Sequence, residues 1–392
     1  MSGVKFINHS GSRLLSLDLF RGWTIIGMIL VNNPGSWTYM YAPLKHAKWD
    51  GWTPTDLIFP FFLWISGFAA ALSLEKKSDS SRPLLYFTIL RRSILLIAIG
   101  LFLSAFPFGL LASHTFSIET WRFPGVLQRI GTCYLISASL FLFGSYRLTL
   151  ITSFIFLLSY TLLVEFFPVP GSGAGILSPN GSVFQYFDSL VLGSHVWSSS
   201  PAKGFDPEGI VSTLTAAVTM QSGILTYWIF KNQSRVSGIM RFTSTQILLI
   251  TPGLILILAA YLLNFHCPIN KNLWSISYVF LTSGTAMIAF FILHWFYDLK
   301  QFKFIKIFPD LYGKNAIFVF VLSALIARIL IFTHVLQEGD KTVSFKNYLY
   351  TNYITPGIED PYLASFLFSV LFLSGFLPLL WLFNKFKIFI KL

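Results

Sequence analysis

Charged residues are scarce in this chain. Aspartate, glutamate, lysine and arginine together make up 11% of its 392 residues, whereas hydrophobic residues make up 54%. Soluble domains carry about 25% charged residues, because their surfaces must be solvated. So little polar sequence cannot cover so many apolar segments, which excludes a soluble protein with ordinary buried helices.

Cysteine is also nearly absent. Cys133 lies within a hydrophobic run and Cys267 lies at the end of another, so we expect no disulfide between them. Two separate thiols do not make a thiolate metal site, and the seven histidines show no HxxxH or HExxH spacing. We therefore expect no metal.

Acidic residues are few relative to basic ones, and the formal net charge is +12. In a protein that binds nucleic acid, such an excess lies on a soluble basic domain. This chain has no polar segment long enough to form one. We expect no nucleic-acid partner.

Long hydrophobic runs are what the chain does have. A helix needs about 20 mostly apolar residues to cross a bilayer core of about 30 Å. The runs predict an all-α integral membrane protein with about ten transmembrane helices in one bundle and a lipid bilayer as its surroundings. The predicted spans are residues 14–33, 54–74, 93–113, 124–143, 148–167, 209–230, 243–264, 273–296, 313–335 and 362–383.

The loops predict an orientation and a single domain. Most loop lysines and arginines lie on one side if the N-terminus is cytoplasmic, and positive charge favours the cytoplasmic side. Both termini are then cytoplasmic. We expect one transmembrane domain over residues 1–392, whose largest non-membrane segment is the outer loop 168–208.

Polar residues cluster at the predicted outer ends of the spans, where they are costly and therefore candidates for function. Some of them also have purely structural explanations. The helix dipole can account for Asp206 and Glu208, Asn272 can cap a helix N-terminus, and the Arg129 side chain can extend to the membrane interface. Their convergence on one face favours a binding or catalytic site. The residues are Asn32, His46, Asp50, Asp56, Arg122, Gln128, Arg129, Asp206, Glu208, Asn270, Lys271 and Asn272.

Asp18 and Arg21 lie at the opposite, cytoplasmic end of the first span. Their spacing of three residues permits a local ion pair on one helix face. Binding of a cytosolic anion is the alternative, and the spacing alone leaves both open. A helix rises 1.5 Å per residue, so these residues are about 20 Å from Asn32 along the first span.

Seven motifs point to a family: RLLSLDLFRG, LVN, LKHAKWDGWTPTDLIFPFFLWISG, RFPGVLQRIGTCY, FPVPG, FDPEGI and NKNLWSISYV. In this order, from about residue 13 to the C-terminus, they resemble the transmembrane acetyltransferases typified by heparan-α-glucosaminide N-acetyltransferase. The resemblance implies an enzyme that takes acetyl-CoA from the cytosol and acetylates an amino-sugar nitrogen on the outer face. It further implies a bacterial inner-membrane protein and a homodimer.

The resemblance assigns catalytic roles to His46 and Asn32. Histidine suits a general base at ambient pH, but it can also accept the acetyl group itself, and both routes remain open. An asparagine amide suits a developing oxyanion. Asp50 or Asp56 is expected to orient the imidazole. The remaining outer residues are candidate sugar contacts: Arg122, Gln128, Arg129, Asp206, Glu208, Asn270, Lys271 and Asn272.

Acetyl-CoA is anionic and cytosolic, so its phosphates need basic partners at the inner face. Arginine is favoured there because its guanidinium binds phosphate through two parallel hydrogen bonds. The candidates for binding the cofactor are Arg21, Arg91, Arg92, Lys231 and Arg241.

Two departures from the family pattern leave the substrate open. The outer segment 168–208 is shorter than in the lysosomal members, and LSALIAR replaces a GHE-like motif in the ninth span. The alternatives are an amino-sugar transporter and an O-acyltransferase of an envelope glycan. A transporter predicts broken helices in matching halves, which the sequence does not clearly show.

Overall fold

Helices make up most of the structure. The computed structural model describes residues 14–111, 115–233, 239–302, 306–337 and 341–390, without the side chains of 233–249. The helices are α1 (Leu15–Asn32), α2 (Ile58–Lys76), α3 (Arg82–Ala105), α4 (Val126–Phe166), α5 (Val183–Leu192), α6 (Ile210–Gln233), α7 (Ile239–Leu263), α8 (Ile276–Leu293), α9 (Ile307–Lys314), α10 (Ala316–Phe332), α11 (Phe345–Leu349), α12 (Pro361–Ser374) and α13 (Leu377–Lys385). Strands β1 (His334–Gln337) and β2 (Lys341–Ser344) form one antiparallel hairpin.

Six helical segments among the described residues are long and apolar enough to cross a membrane. They are Leu15–Asn32, Pro54–Lys76, Arg82–Ala105, Val126–Phe166, Ile276–Leu299 and Pro361–Lys385. Helices α9 and α10 meet at 83°, and together they make a seventh if they are one broken span. Helix α6 covers a predicted span but is rich in serine, threonine and glutamine. A mostly helical fold with six or seven candidate membrane spans among the described residues is therefore observed, while ten spans stay a prediction.

Helix α3 begins earlier than predicted. The sequence placed this span at 93–113, because Arg91 and Arg92 look like a boundary. The helix instead starts at Arg82, with Pro83 in its first turn, and ends at Ala105. Arg92 is tolerated inside it because its guanidinium lies 4.6 Å from the ring centre of Tyr134.

Helix α4 contains two predicted spans separated by a break. Ser145 has φ 60° and ψ −162°, which is not helical, so the 41-residue element consists of two segments. The segments before and after Ser145 correspond to the predicted spans 124–143 and 148–167. Just after the break, the Tyr146 hydroxyl donates to Glu75 Oε1 at 2.7 Å, which ties this turn to the end of α2.

The bundle has two ends, which we name after a residue at each. At the His46 end, α1 and α3 finish and α2, α4, α6 and α8 begin; Tyr278 Oη of α8 donates to the carbonyl of Asp56 at 2.5 Å. At the Glu75 end, α2 finishes and α3 begins. The candidate outer residues lie at the His46 end.

Glycines allow the central helices to touch. A Cβ on Gly67 of α2 would lie 1.9 Å from the carbonyl oxygen of Met220, and one on Gly223 of α6 would lie 2.0 Å from that of Trp64. Helices in membranes pack closely where small residues face each other. The α2–α6 contact therefore fixes the position of α2, the helix that follows Asp56 in the chain.

Candidate active site

The loop that carries His46 is organised around the carboxylate of Asp56. Thr53 caps the short 3₁₀ turn Pro54–Leu57, and its backbone N–H donates to Asp56 Oδ2 at 3.0 Å. The backbone N–H of Ala47 donates to the same oxygen at 3.0 Å. Because these amides fix Oδ2, Asp56 Oδ1 is held in place for another donor.

His46 is that donor. Its Nδ1 lies 2.6 Å from Asp56 Oδ1. The carboxylate accepts, so Nδ1 carries the proton and Nε2 keeps its lone pair. The Asp56 side chain is 1% exposed and the His46 side chain is 48% exposed. A buried carboxylate therefore orients an imidazole whose other nitrogen remains accessible.

Lys271 completes this group from the loop before α8. Its Nζ lies 3.1 Å from His46 Nδ1 and 3.4 Å from Nε2, and 3.6 Å from Asp56 Oδ1. Burial lowers the pKa of Lys271 below its ordinary value, while the charges of Asp56 and Glu208 oppose the shift. Lys271 was predicted as a sugar contact, and the structure places it beside the imidazole.

Asp50 supports the neighbouring loop rather than His46. Its Oδ1 accepts from Asn270 Nδ2 at 3.1 Å, and the N–H of Gly51 donates to the carbonyl of Ile269 at 2.7 Å. Asn270 Oδ1 accepts from the N–H of Leu273 at 3.0 Å. Of the two acids predicted to orient the imidazole, the geometry selects Asp56. Asp50 and Asn270 hold the loop that presents Lys271.

Asn32 and Asn272 are two predicted amides without a side-chain hydrogen bond among the described residues, and Gln128, described below, is a third. Asn32 is the last residue of α1 and its side chain is exposed. Asn33 beside it is buried and donates to the carbonyl of Ile29. Asn272 does not cap α8, because Ser275 takes that position and accepts from the N–H of Tyr278. The amide of Asn32 is thus free to meet a reactant.

Arg122 and two carboxylates form a second polar group at this end. Its Nε and Nη2 donate to Asp206 at 2.8 and 2.6 Å, and Nη2 also lies 2.6 Å from Glu208 Oε2. Burial alone would raise the pKa of Glu208, yet the charge of Arg122 keeps that pKa below its usual value. Three predicted sugar contacts therefore bind each other.

Asp188 in α5 anchors this group, and the sequence reasoning missed it. Its carboxylate accepts from the N–H of Asp206 at 3.0 Å and from the N–H of Ile210 at 2.9 Å. Burial raises the pKa of Asp188 to about 6. No motif could have revealed it, since one acid in a short apolar helix resembles an exposed residue of an amphipathic surface.

Arg129 and Gln128 are buried side by side at the start of α4. Arg129 is 3% exposed; its Nη2 donates to the carbonyl of Gly209 at 3.1 Å and to Ser212 Oγ at 2.5 Å. Its guanidinium also lies 5.1 Å from the ring centre of Trp274. Arg129 therefore does not snorkel to the surface. Its Nε and Nη1, and Nε2 of Gln128, have no partner among the described atoms.

A cavity of about 510 Å³, which we call the basic cavity, opens between α1, α2, α3 and α9. It is mostly apolar, with Arg21, Lys76, Arg92 and Lys314 as its basic residues and Asp18 as its acid. Arg21 contacts Asp18 at 3.2 Å. Along α2 the lining runs from Lys76 to Phe62, about 21 Å at 1.5 Å per residue.

Only some of the predicted cofactor-binding residues line this cavity. Arg21 and Arg92 line it. Arg91 is exposed outside it, and Lys231 Nζ contacts Glu75 at 2.6 Å instead. The side chain of Arg241 lies outside the described residues. Lys76 and Lys314 were missed, because a lysine at a helix end resembles ordinary interfacial charge.

Comparison with known proteins identifies the family. Residues 13–187 match the family model described as heparan-alpha-glucosaminide N-acetyltransferase, catalytic. The mouse protein named heparan-alpha-glucosaminide N-acetyltransferase is 33% identical over 362 residues, which cover 80% of this chain and 53% of the mouse protein. The human protein of that name is 33% identical over 361 residues, covering 79% and 52%. The chain spans about half the length of these curated relatives. It belongs to the family of the heparan-α-glucosaminide N-acetyltransferase catalytic region.

Proposed function

We propose that this chain is a transmembrane N-acetyltransferase that moves the acetyl group of cytosolic acetyl-CoA to the amine of a glucosamine-type sugar on the outer face. The observation that carries the proposal is the 2.6 Å contact between His46 Nδ1 and the buried Asp56, within the part of the chain that matches the family model. A carboxylate that fixes the tautomer of a histidine is the arrangement that many acyl-transfer enzymes use.

His46 Nε2 supplies the reactive lone pair. In direct transfer, the amine nitrogen bonds to the thioester carbonyl carbon, Nε2 takes the amine proton, and the carbon–sulfur bond breaks to release CoA. In the two-step route, Nε2 bonds to that carbon first and the carbon–sulfur bond breaks to release CoA. The amine nitrogen then bonds to the same carbon, the carbon–Nε2 bond breaks, and the freed Nε2 takes the amine proton. Asp56 supports either route, because its charge stabilises the imidazolium that forms.

Asn32 is proposed to stabilise the oxyanion on the former carbonyl oxygen. Its exposed amide has no competing partner in the described residues. Such a donor is worth roughly 3–4 kcal/mol in acyl-transfer enzymes. Lys271, whose Nζ lies 3.1 Å from His46 Nδ1, is proposed to add a positive charge to the same site.

The basic cavity is proposed to hold acetyl-CoA. Arg21, Lys76, Arg92 and Lys314 offer donors for its phosphates, and the apolar remainder suits the pantetheine arm. The cavity runs from the Glu75 end toward the His46 end. Along α2 it ends at Phe62, six residues short of Asp56. CoA is cytosolic, so the Glu75 end is proposed to face the cytoplasm, as the positive charge of the loops predicts.

The acceptor sugar is proposed to bind at the His46 end. Glu208 uses Oε2 for Arg122, and its Oε1 has no partner among the residues described. Glu208 and Arg129 line a separate cleft of about 500 Å³. Arg122 and Asp206 are hydrogen-bonded to each other, so we propose that they position Glu208 and do not contact the sugar directly.

The direct test is CoA release by the purified protein with acetyl-CoA and glucosamine. We expect CoA and N-acetylglucosamine in equal amounts. His46→Ala should lower the rate at least a hundredfold, since general-base catalysis contributes about 10²–10⁴-fold. His266→Ala is the matched control, because that side chain is 79% exposed and its one ion pair with the described residues is with Glu165.

Other outcomes would favour the alternatives. Glucosamine uptake into vesicles that survives His46→Ala and needs no acetyl-CoA would make the chain a transporter; the 83° bend between α9 and α10 is the broken helix on which that reading rests. Acetyl transfer to hydroxyl groups, with the amine left free, would make it an O-acyltransferase.

A further inference from the structure

A second cavity, which we call the Arg328 cavity, lies at the His46 end but is not lined by His46. Its volume is about 530 Å³, a typical size for a small-molecule site. It opens between the ends of α3 and α10 and the start of α4, with Arg122, Gln128 and Arg328 among its lining residues. Hydroxyl groups of Ser104, Ser117, Thr120 and Ser198 also belong to the lining.

Arg328 is a charged residue on an otherwise apolar helix. Helix α10 reads AIFVFVLSALIARILIF, and no carboxylate pairs with Arg328 in the part of the chain that the structure describes. Ile329 and Ile331 are 44% and 40% exposed on the outer side of the helix, whereas Arg328 lines the cavity. An unpaired arginine that faces inward from a membrane helix is a functional candidate by default.

Gln128 independently points to a ligand in the same cavity. It is 8% exposed, and its Nε2 is buried without a hydrogen-bond partner among the described residues. A Cβ on Gly100 would lie 2.2 Å from Gln128 Oε1, so glycine there leaves room for this amide. A buried N–H group without a partner costs about 1–3 kcal/mol, and a ligand oxygen would remove that cost.

We propose that the Arg328 cavity binds an oxyanion, a phosphate, sulfate or carboxylate group, between the guanidinium of Arg328 and the amide of Gln128. Both side chains line the cavity and carry N–H donors, and guanidinium matches the two oxygens of such a group. No acid is among the described residues that line the cavity, and Asp206 and Glu208 contact its other arginine, Arg122. The site does not depend on acetyl transfer.

Ligand binding to the purified full-length protein tests this site. Sodium phosphate and sodium sulfate should each raise the thermal unfolding temperature at constant ionic strength, because a ligand that binds only the folded state stabilises it. Arg328→Gln should weaken phosphate binding at least tenfold. Gln128→Glu, which keeps the side-chain shape and adds a negative charge, should also abolish it.

Lys203→Gln is the matched control, because it removes one exposed positive charge at the same end outside the cavity. It should bind phosphate like wild type. The proposal would be overturned if Arg328→Gln bound phosphate as tightly as wild type. It would also be overturned if neutral sorbitol raised the unfolding temperature of wild type as much as phosphate does. If Arg328→Gln fails to fold, the result with Gln128→Glu decides.

The source of the oxyanion is separated by two further probes. Glucosamine 6-phosphate that binds more tightly than phosphate assigns the group to an acceptor. Nanodiscs of phosphatidylglycerol that displace phosphate, where phosphatidylcholine does not, assign it to a lipid headgroup. Acetyl-CoA binding should survive Arg328→Gln; its loss would contradict the proposal and place the cofactor phosphates here instead.

Discussion

At the scale of single residues, His46 is defined by partners from two distant parts of the chain. Asp56 follows ten residues later and Lys271 follows 225 residues later. The sequence pointed to His46 and left Asp50 and Asp56 as equal candidates to orient it. Only the backbone amides of Ala47 and Thr53, which fix Asp56 Oδ2, distinguish the two acids. No spacing rule brings Lys271 to the imidazole.

Lys271 gives the first prediction, which concerns the pH dependence of acetyl transfer. The ammonium of Lys271 lies 3.1 Å from His46 Nδ1, so the rate of acetyl transfer should depend on its charge. Lys271→Gln should lower kcat/KM and remove the alkaline limb of the pH profile, because glutamine has no charge to lose. Burial lowers the pKa of Lys271, so wild type should also show an alkaline inflection below that of an exposed lysine.

Lys271→Arg is the matched control for this prediction. Arginine stays charged over the whole range, so kcat/KM should stay close to the wild-type value while the alkaline inflection disappears. Profiles of both variants that superimpose on that of wild type would show that the charge of Lys271 has no part in the reaction.

At the scale of elements, the hydrophobic runs predicted where helices form but not how they end. Arg91 and Arg92 suggested a boundary, yet α3 runs through them because the ring of Tyr134 covers Arg92. The break at Ser145 was placed correctly between two predicted spans, although no proline marks it. Hydropathy measures the cost of side chains in lipid, and it does not register such pairwise contacts.

The α2–α6 contact gives the second prediction. A methyl group on Gly67 would lie 1.9 Å from the Met220 carbonyl oxygen, so Gly67→Ala must push the helices apart. Such overpacking costs roughly 1–3 kcal/mol. We expect a lower thermal unfolding temperature in detergent and slower acetyl transfer, because α2 follows directly on the turn that contains Asp56.

Gly27→Ala is the matched control for helix packing. Its Cβ would meet Ile58 Cδ1 at 3.4 Å, an ordinary contact. This variant should be neutral or slightly stabilising, since alanine is favoured over glycine within a helix by about 0.5–1 kcal/mol. Equal unfolding temperatures for the two variants would contradict the close approach of α2 and α6.

At the scale of the whole molecule, the two cavities lie along one side of the bundle. Val126, Leu127 and Phe320 line both the basic cavity and the Arg328 cavity, so the two cavities are neighbours. The sequence predicted polar residues at both ends of the spans. It could not show the space between them, because a cavity depends on how helices distant in sequence pack.

Three residues that were predicted to contact the sugar contact one another instead. Arg122, Asp206 and Glu208 were grouped correctly at one end, yet they contact one another. Arg328 had no assigned role, because an isolated arginine in an apolar run carries no pattern. Composition and motifs therefore predicted a helical fold class and which polar residues share one end of the bundle, while the partner of each charge required the structure.

The central claim is that acetyl groups cross the membrane by way of His46, and sided proteoliposomes test it most directly. Acetyl-CoA is sealed inside, radiolabelled glucosamine is added outside, and the product is measured in each compartment. We expect N-acetylglucosamine outside and CoA retained inside, with both lost in His46→Ala and kept in His266→Ala. Product formed only when acetyl-CoA and glucosamine share one compartment would contradict the account.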